Sequence, residues 1–580
     1  MKRMIMFLLL STFLALSMAP VVSFGEAVKE KPTKPTATAS AQDKPEYGAV
    51  FVMALGADIT LFDETLGHTN NAPTQMLTND TILTGDWSKG PAGSNEYTWF
   101  YYGTPPSKVL TGGIAESWEM PDENTFVYHI RKGVRFHNKP PTNGREMNAD
   151  DVLFSIQRAW KSPGSIYASA DFIESVTAPD KWTIVIKAMP GKAGVVYRYV
   201  SFYLKTVPRD AVEAYGDLKD WKNAIGTGPF MLKEYVSSTA ATFVRNPDYW
   251  MTDPTGPGKG NRLPYLDGVK WLVVPDPSTR MAAMRTGKID ALHNLVVEDA
   301  LTLLERSPEL EYVANPSGGP MAVHMRIDNP ELPWANVDVR RALHMALDLK
   351  EIAKTYYSGQ AVVLNWPAMA IPDCADFYTP LEELPESTRE LFAYHPEKAK
   401  QLLAEAGYPN GFKASMVCFK DQVDMLSIIK AYWQAIGVDL SLDVKEYSAY
   451  TSIGVGKKHT EMYMHTAGAA TPEQFSRIRH GNIDNYGMIN DPKIEAAYAK
   501  VAGNFFNEEL KKQTYREIHP YVLSQAYLIV MPSPNIYNIW QPWVQNYHGE
   551  RYMPTWASTD AYLKYVWIDQ GIKEKMAEKR

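Results

Sequence analysis

From Thr125 to Ile130 polar and apolar positions alternate, with Phe126, Tyr128 and Ile130 on one face of an extended segment. A period of two is the signature of a half-buried strand. Lys132-Gly133 predicts a turn, after which Val134 and Phe136 resume the alternation. The period then changes. Asn148 is placed to cap a helix with Asp151 in its first turn, and Val152, Leu153, Ile156 and Ala159 recur at helical spacing. Similar switches run through the rest of the chain. Strands are expected at Tyr47–Met53, Thr183–Ala188, Val269–Val274 and Val438–Val444. Asp276-Pro277 predicts a helix start and Gly287 its end. In the helix expected after Asn336, Val339, Ala342, Leu343, Ala346 and Leu347 form one apolar face, with Arg340 and Arg341 read as surface charges at its solvated edge. Another helix is expected from Pro396, with Ala399, Leu402, Leu403 and Ala406 facing inward and Gly407 stopping it. Strand and helix alternation over the whole length predicts an α/β protein built on sheets. Internal repeats are not evident.

The N-terminus has a different pattern. Lys2 and Arg3 precede an apolar run from Met4 to Ala19, with small residues near Ser23 and Gly25, which reads as a signal peptide over 1–25. The run is shorter than the roughly 20 residues a membrane-spanning helix needs, although a retained anchor is the alternative. Lys, Pro, Thr and Ala dominate 26–45, read as a flexible spacer. No cysteine follows the apolar run to take a lipid, so a soluble periplasmic protein is expected.

The 580 residues exceed one ordinary core and predict at least two domains. A formal charge of −7 with dispersed basic residues argues against nucleic acid as a partner. The two cysteines, Cys374 and Cys418, could form a bridge or remain two buried thiols, and no zinc-type spacing involves them. Fifteen Trp and 33 Tyr serve packing first, and also suit a cleft that grips apolar or extended ligands.

The literal residues carry more than their pattern. Gly113-Ile-Ala-Glu-Ser-Trp118, continued through the Phe126–Phe136 hairpin and the Asn148 helix, resembles the signature segment of family 5 extracellular solute-binding proteins, the peptide, opine and nickel receptors of ABC importers. Gly226-Thr-Gly-Pro-Phe230 followed by Arg245-Asn-Pro-Asp-Tyr-Trp250 matches a second family motif, and Gly287-Lys-Ile-Asp-Ala291 the unit that closes the first lobe. Asn336–Leu347 and Tyr394–Gly407 match two more, in family order, so that the resemblance spans Tyr47 to Trp567. It implies a two-lobed periplasmic binding protein fold (type II, large) with an additional subdomain and a two-segment hinge. The implied divisions are 46–80, 205–290 and 531–580 for lobe I, 81–204 for the subdomain and 291–530 for lobe II. It also implies a monomer without cofactor that closes around a peptide or peptide-like solute and delivers it to ABC permease subunits.

Peptide-binding members carry a loop of the form Trp-Gly-Ala-Asp-Tyr-Pro-Asp, whose Asp pairs with the peptide ammonium. The corresponding segment is Ala467-Gly-Ala-Ala-Thr-Pro-Glu473, so Trp becomes Ala467 and Asp becomes Ala470. A buried ammonium without its carboxylate costs several kcal/mol. The resemblance therefore favours a blocked or cyclic peptide, a glycoconjugate or an opine-like solute over a free-amino peptide. The residues expected to touch it are Phe62, Trp366, His465, Thr466, Ala467, Gly468, Ala470 and Thr471, with core packing the alternative role for Trp366 and His465. Met462, Met464, His465 and His480 raise nickel or a metal chelate as an alternative ligand, although methionines on alternating strand positions usually pack a core. A secreted hydrolase is the rival from another class. No GxSxG or HExxH motif is present, and Ser427-Ile-Ile-Lys430 matches SxxK without its companion motifs. The chain is read as a binding protein, not an enzyme.

Overall fold

The computed structural model describes residues 44–63, 73–101, 103–162, 165, 172–468, 477–553, 555 and 558–579. The signal segment and nearly all of the spacer lie outside these residues, as do Ala470 and Thr471. Among the described residues no helix is long and apolar enough to cross a membrane.

Two bodies account for the described chain. In the first, an eight-stranded sheet runs in the order Glu311–Pro316, Ser533–Trp540, Ala291–Leu295, Val50–Leu55, Gly268–Val273, Ala240–Arg245 and Phe230–Val236, with Ala361–Val362 added beside Ser533–Trp540. Val50–Leu55 pairs in parallel with Gly268–Val273, the crossover between them holding the entire subdomain. That subdomain is a four-stranded antiparallel sheet, Ala115–Asp122, Thr125–Ile130, Thr183–Ala188 and Ile173–Asp180. Phe126, Tyr128 and Ile130 point into the core while the intervening residues are half-buried, as the period of two requires. The helix Ala149–Lys161 is capped by Asn148 and Asp151, each side chain accepting from the other's backbone N–H. Both sheets of this body contribute to a single apolar core.

The second body is a five-stranded sheet ordered Val438–Lys445, Phe412–Phe419, Met462–Thr466, Met321–Met325 and Leu528–Val530, with its own core. Met462 and Met464 are fully buried there. The helices Val337–Met345 and Pro396–Glu405 pack on this core through the faces their spacing indicates.

Two expectations are corrected. Ala291–Leu295 and Glu311–Pro316, expected in the second lobe, belong to the large sheet, because Ser533–Trp540 pairs with both and satisfies their backbone groups. The chain therefore leaves the first body after Pro316, not after 290. Arg340 and Arg341 are not surface charges. Arg340 is buried and donates to the carbonyls of Gln525, Trp334 and Ala335 at 2.9–3.0 Å, and Arg341 donates to Ser524 O at 3.1 Å, Ser387 O at 2.7 Å and Glu390 at 2.8 Å. Together they satisfy the carbonyls left open at the C-terminal end of the helix Glu508–Ser524, where a cation also opposes the helix dipole. Of the two alternatives for the cysteines, the structure has two buried thiols, Cys374 and Cys418, in different apolar clusters.

Candidate ligand-binding site

Besides the short pairing of Ala361–Val362 with Ser533–Trp540, the chain passes between the two bodies at Ser317–Pro320 and at Met531–Pro532, and these crossings lie side by side. Ser317 N donates to Pro534 O at 2.8 Å and Ser533 Oγ donates to Ser317 O at 2.7 Å. Asn365, buried, clamps both: its Nδ2 donates to Ser317 O at 3.0 Å and to Ser533 Oγ at 3.1 Å, while its Oδ1 accepts from Ala370 N at 2.8 Å. Two adjacent extended segments make a hinge, because only a few backbone torsions must change for the bodies to rotate.

Away from the crossings, two contacts between described residues of the bodies stand out. The first joins residues 97–101 of the first body to 369–374 of the second. Thr98 N and Oγ1 donate to Asp373, and Tyr101 packs with Met369, Ile371 and Cys374. Burial raises the Asp373 carboxyl to about 6. The arm that carries Thr98 is anchored by Trp99, fully buried, whose carbonyl accepts from Arg551 N and Tyr552 N. The second contact is apolar. Phe505 and Phe506, between two helices of the second body, pack against Tyr197 of the first, and Phe506 also reaches Phe126. Gly194 makes this approach possible, since a Cβ there would fall 2.3 Å from the Phe505 ring.

Between the bodies, next to Phe505, lies a cavity of about 180 Å³ lined by Thr104, Arg198, Tyr199, Tyr498, Phe505 and Tyr515 among others. Its walls come from both bodies, so it exists only when they are together. None of its lining residues was among those singled out in the sequence. Their signal was weak: isolated aromatics and one arginine in segments whose periodicity is irregular.

The residues expected at the site divide. His465, Thr466, Ala467 and Gly468 follow one another at the end of the strand Met462–Thr466, which pairs with Met321–Met325 beside the first crossing. Ala467 N donates to Pro320 O at 2.8 Å and Thr466 Oγ1 accepts from Gly468 N at 3.0 Å, fixing the start of the loop. Gly468 has φ +80°, and Arg477 lies over it so closely that a Cβ would sit 2.5 Å from Arg477 Cδ. Arg477 pairs with Asp484 at 3.4 Å. His465 is half-buried among rings, 4.7 Å from Tyr486, 5.8 Å from Tyr463 and 6.2 Å from Tyr450 between centroids. Burial lowers its pKa, and Thr466 O, 3.2 Å from Nδ1, opposes that only in part. His465 is thus a neutral imidazole near pH 7.

Phe62 and Trp366 are placed elsewhere. Phe62 is buried in the first core, edge-on to Tyr235 at 4.9 Å, just before a segment outside the described residues. Trp366 is 3% exposed inside the second core, where its Nε1 has no partner. Neither lines the cavity between the bodies. Met464 is core, and His480 is exposed with its N–H on Glu495. Among the described residues no three His, Cys, Asp or Glu side chains converge as metal ligands would. Ser427 Oγ bonds back to Val423 O at 2.8 Å on a helix surface.

Comparison with known proteins gives the same picture. Residues 109–482 match the family model described as bacterial extracellular solute-binding proteins, family 5 Middle. Heme-binding protein A of Haemophilus influenzae is 27% identical over 490 residues, covering 79% of this chain and 82% of that protein. The dipeptide-binding protein of Escherichia coli is 26% identical over 428 residues, covering 69% and 75% respectively. The solved structure of HbpA2 from Haemophilus parasuis superposes with a TM-score of 0.70 at 22% identity, covering 90% of this chain and all of that one. With more than half its length matched by the family model, and with two sheet-based bodies joined at paired crossings, the chain belongs to the family 5 bacterial extracellular solute-binding proteins.

Proposed function

We propose that this protein is the solute-binding component of an ABC importer, acting in the periplasm as a monomer. It closes around a peptide or peptide-like solute and presents it to the permease. The observation that carries the reading is the cavity walled by both of the bodies that the paired crossings join. A solute that contacts both walls stabilises the closed arrangement by its differential affinity for it, and no bond chemistry is needed. The similarity to dipeptide- and heme-binding relatives supports an importer role. Ala467 and Ala470, where peptide receptors carry Trp and Asp, favour a solute whose amino end is blocked.

Native mass spectrometry of protein exported to an oxidising compartment, followed by denaturation, tests this. Release of blocked or modified peptides is expected, whereas a reaction product that accumulates with time would overturn the binding role in favour of an enzyme. Neutral His465 among three tyrosine rings supports a second reading, an iron porphyrin held through that imidazole. A Soret band that is lost in His465→Ala would decide for it.

A further inference from the structure

We propose that a small cavity inside the first body, walled by Ser558 and Lys564 near the C-terminus and by Asp80 and Thr84 ahead of the subdomain, is a binding site for one halide ion, chloride under ordinary conditions.

Size limits the ligand first. The cavity measures about 20 Å³. A single water needs about 10–15 Å³ on the same measure, so the space takes one particle of water or halide size and no molecule with a carbon skeleton.

Polarity then chooses between the two. Ser558 is 4% exposed, and its Oγ has no hydrogen-bond partner. Lys564 is 5% exposed, and burial lowers its pKa. Its charge is met by the Tyr565 ring, 5.4 Å from Nζ, and by the field of Asp80. No hydrogen bond to a described residue takes its N–H donors. A buried ammonium in that state is costly, and a ligand that accepts from it removes part of the cost. Thr84 brings a further hydroxyl to the wall. Asp80 is the one carboxylate among the described lining residues. It already accepts from Tyr249 Oη at 2.8 Å, Trp250 Nε1 at 3.1 Å and Thr227 Oγ1 at 3.2 Å. The wall therefore offers donors in excess. A water placed there would add two more protons, whereas a halide adds none and supplies negative charge beside Lys564. Lys205, a second buried lysine on the same wall, has interactions of its own, and Lys564 with Ser558 suffices without it.

The place of the site gives it a consequence. Gly113, also on the wall, donates its N–H to Ile82 O at 3.0 Å, so that side of the cavity is pinned to the start of the subdomain. Ser558 and Lys564 follow Arg551 and Tyr552, whose N–H groups hold Trp99 O. An ion shared by the two sides fastens the C-terminal segment under the arm that carries Thr98, and it stabilises the folded chain by mass action.

Thermal unfolding of the full chain in sodium chloride, sodium bromide and sodium gluconate at one ionic strength tests the site. Chloride and bromide are expected to raise the melting temperature by at least about 2 °C over gluconate. Ser558→Ala should remove most of that difference, and Lys564→Met all of it. A halide effect of equal size in Ser558→Ala and in the parent is a general salt effect and overturns the site, as does the lack of any halide effect. Should Lys564→Met fail to fold, bromide-soaked crystals of the parent decide. An anomalous peak in contact with Lys564 Nζ and Ser558 Oγ is expected, and a water there without anomalous signal overturns the proposal.

Discussion

Thr98 and Asp373, 275 residues apart in the chain, meet across the two bodies through three hydrogen bonds. The Thr98 N–H donates to both carboxylate oxygens at 3.0 and 3.2 Å, and its hydroxyl donates to Oδ2 at 2.6 Å. Their neighbours Tyr101, Met369, Ile371 and Cys374 form an apolar cluster beside the contact. The pair is therefore a polar clasp set in an apolar surround, and its strength depends on the charge of one carboxyl.

Opening the two bodies exposes Asp373 and returns its pKa from about 6 toward the ordinary 3.8. The closed form thus holds its proton more tightly than the open form. Its advantage grows as pH falls from about 6 to about 4 and is lost as pH rises through about 6. Small-angle scattering of the unliganded protein should show a more compact particle at pH 5 than at pH 7. Asp373→Asn, neutral at every pH, should flatten that dependence, and a slope that survives the substitution assigns the effect to another group. Thr98→Val should weaken closure by about 1.5–3 kcal/mol, the usual worth of a hydrogen bond to a charged partner.

Asn365 sets the hinge. Replacing it with alanine removes the shared donor to Ser317 O and Ser533 Oγ and strands Ala370 N–H. A loss of about 1–3 kcal/mol of stability is expected, as for buried polar groups left unpaired. The distribution of inter-domain distances should also broaden, measurable by double electron–electron resonance between labels on the two bodies. A narrow, unchanged distribution would show that the crossings themselves define the angle.

Trp366→Phe should leave solute affinity within about twofold of the parent while lowering stability by about 1–2 kcal/mol. The indole sits in the second core and does not reach the cavity between the bodies. A tenfold drop in affinity with unchanged melting temperature would place Trp366 at the ligand after all.

Neither cysteine should react in the native protein. Burial, with Asp443 nearby, pushes the Cys418 thiol up to about 11, so almost no thiolate forms at pH 8. Titration with a chromogenic disulfide is expected to find no reactive thiol before denaturation and two afterwards, with or without reductant. A single-step gain of two thiols that requires reductant would mean a bridge.

The sequence by itself determined the local elements and the family. The alternation at Phe126, Tyr128 and Ile130, the Asn148–Asp151 cap and the apolar face after Asn336 are all read within a few residues of chain, because strand and helix periods and caps are set by near neighbours. The strand end at His465–Gly468 was legible for the same reason: a family motif is a local string. The tertiary structure alone decided the rest. Arg340 and Arg341 look solvated beside their own helix, and only the carbonyls of Ser524 and Gln525, more than 180 positions away, make them structural donors, Arg340 buried and Arg341 half-buried. Trp366 could have faced a ligand or a core, and its own neighbours in sequence do not say which. Thr98 with Asp373, Asn365 with Ser533 and Phe505 with Gly194 carry no mark in their segments, since each is half of a contact whose other half lies far along the chain. Period and propensity encode which face of an element is apolar, and the packing of one body on another decides what that face, and every polar group at its edge, will meet.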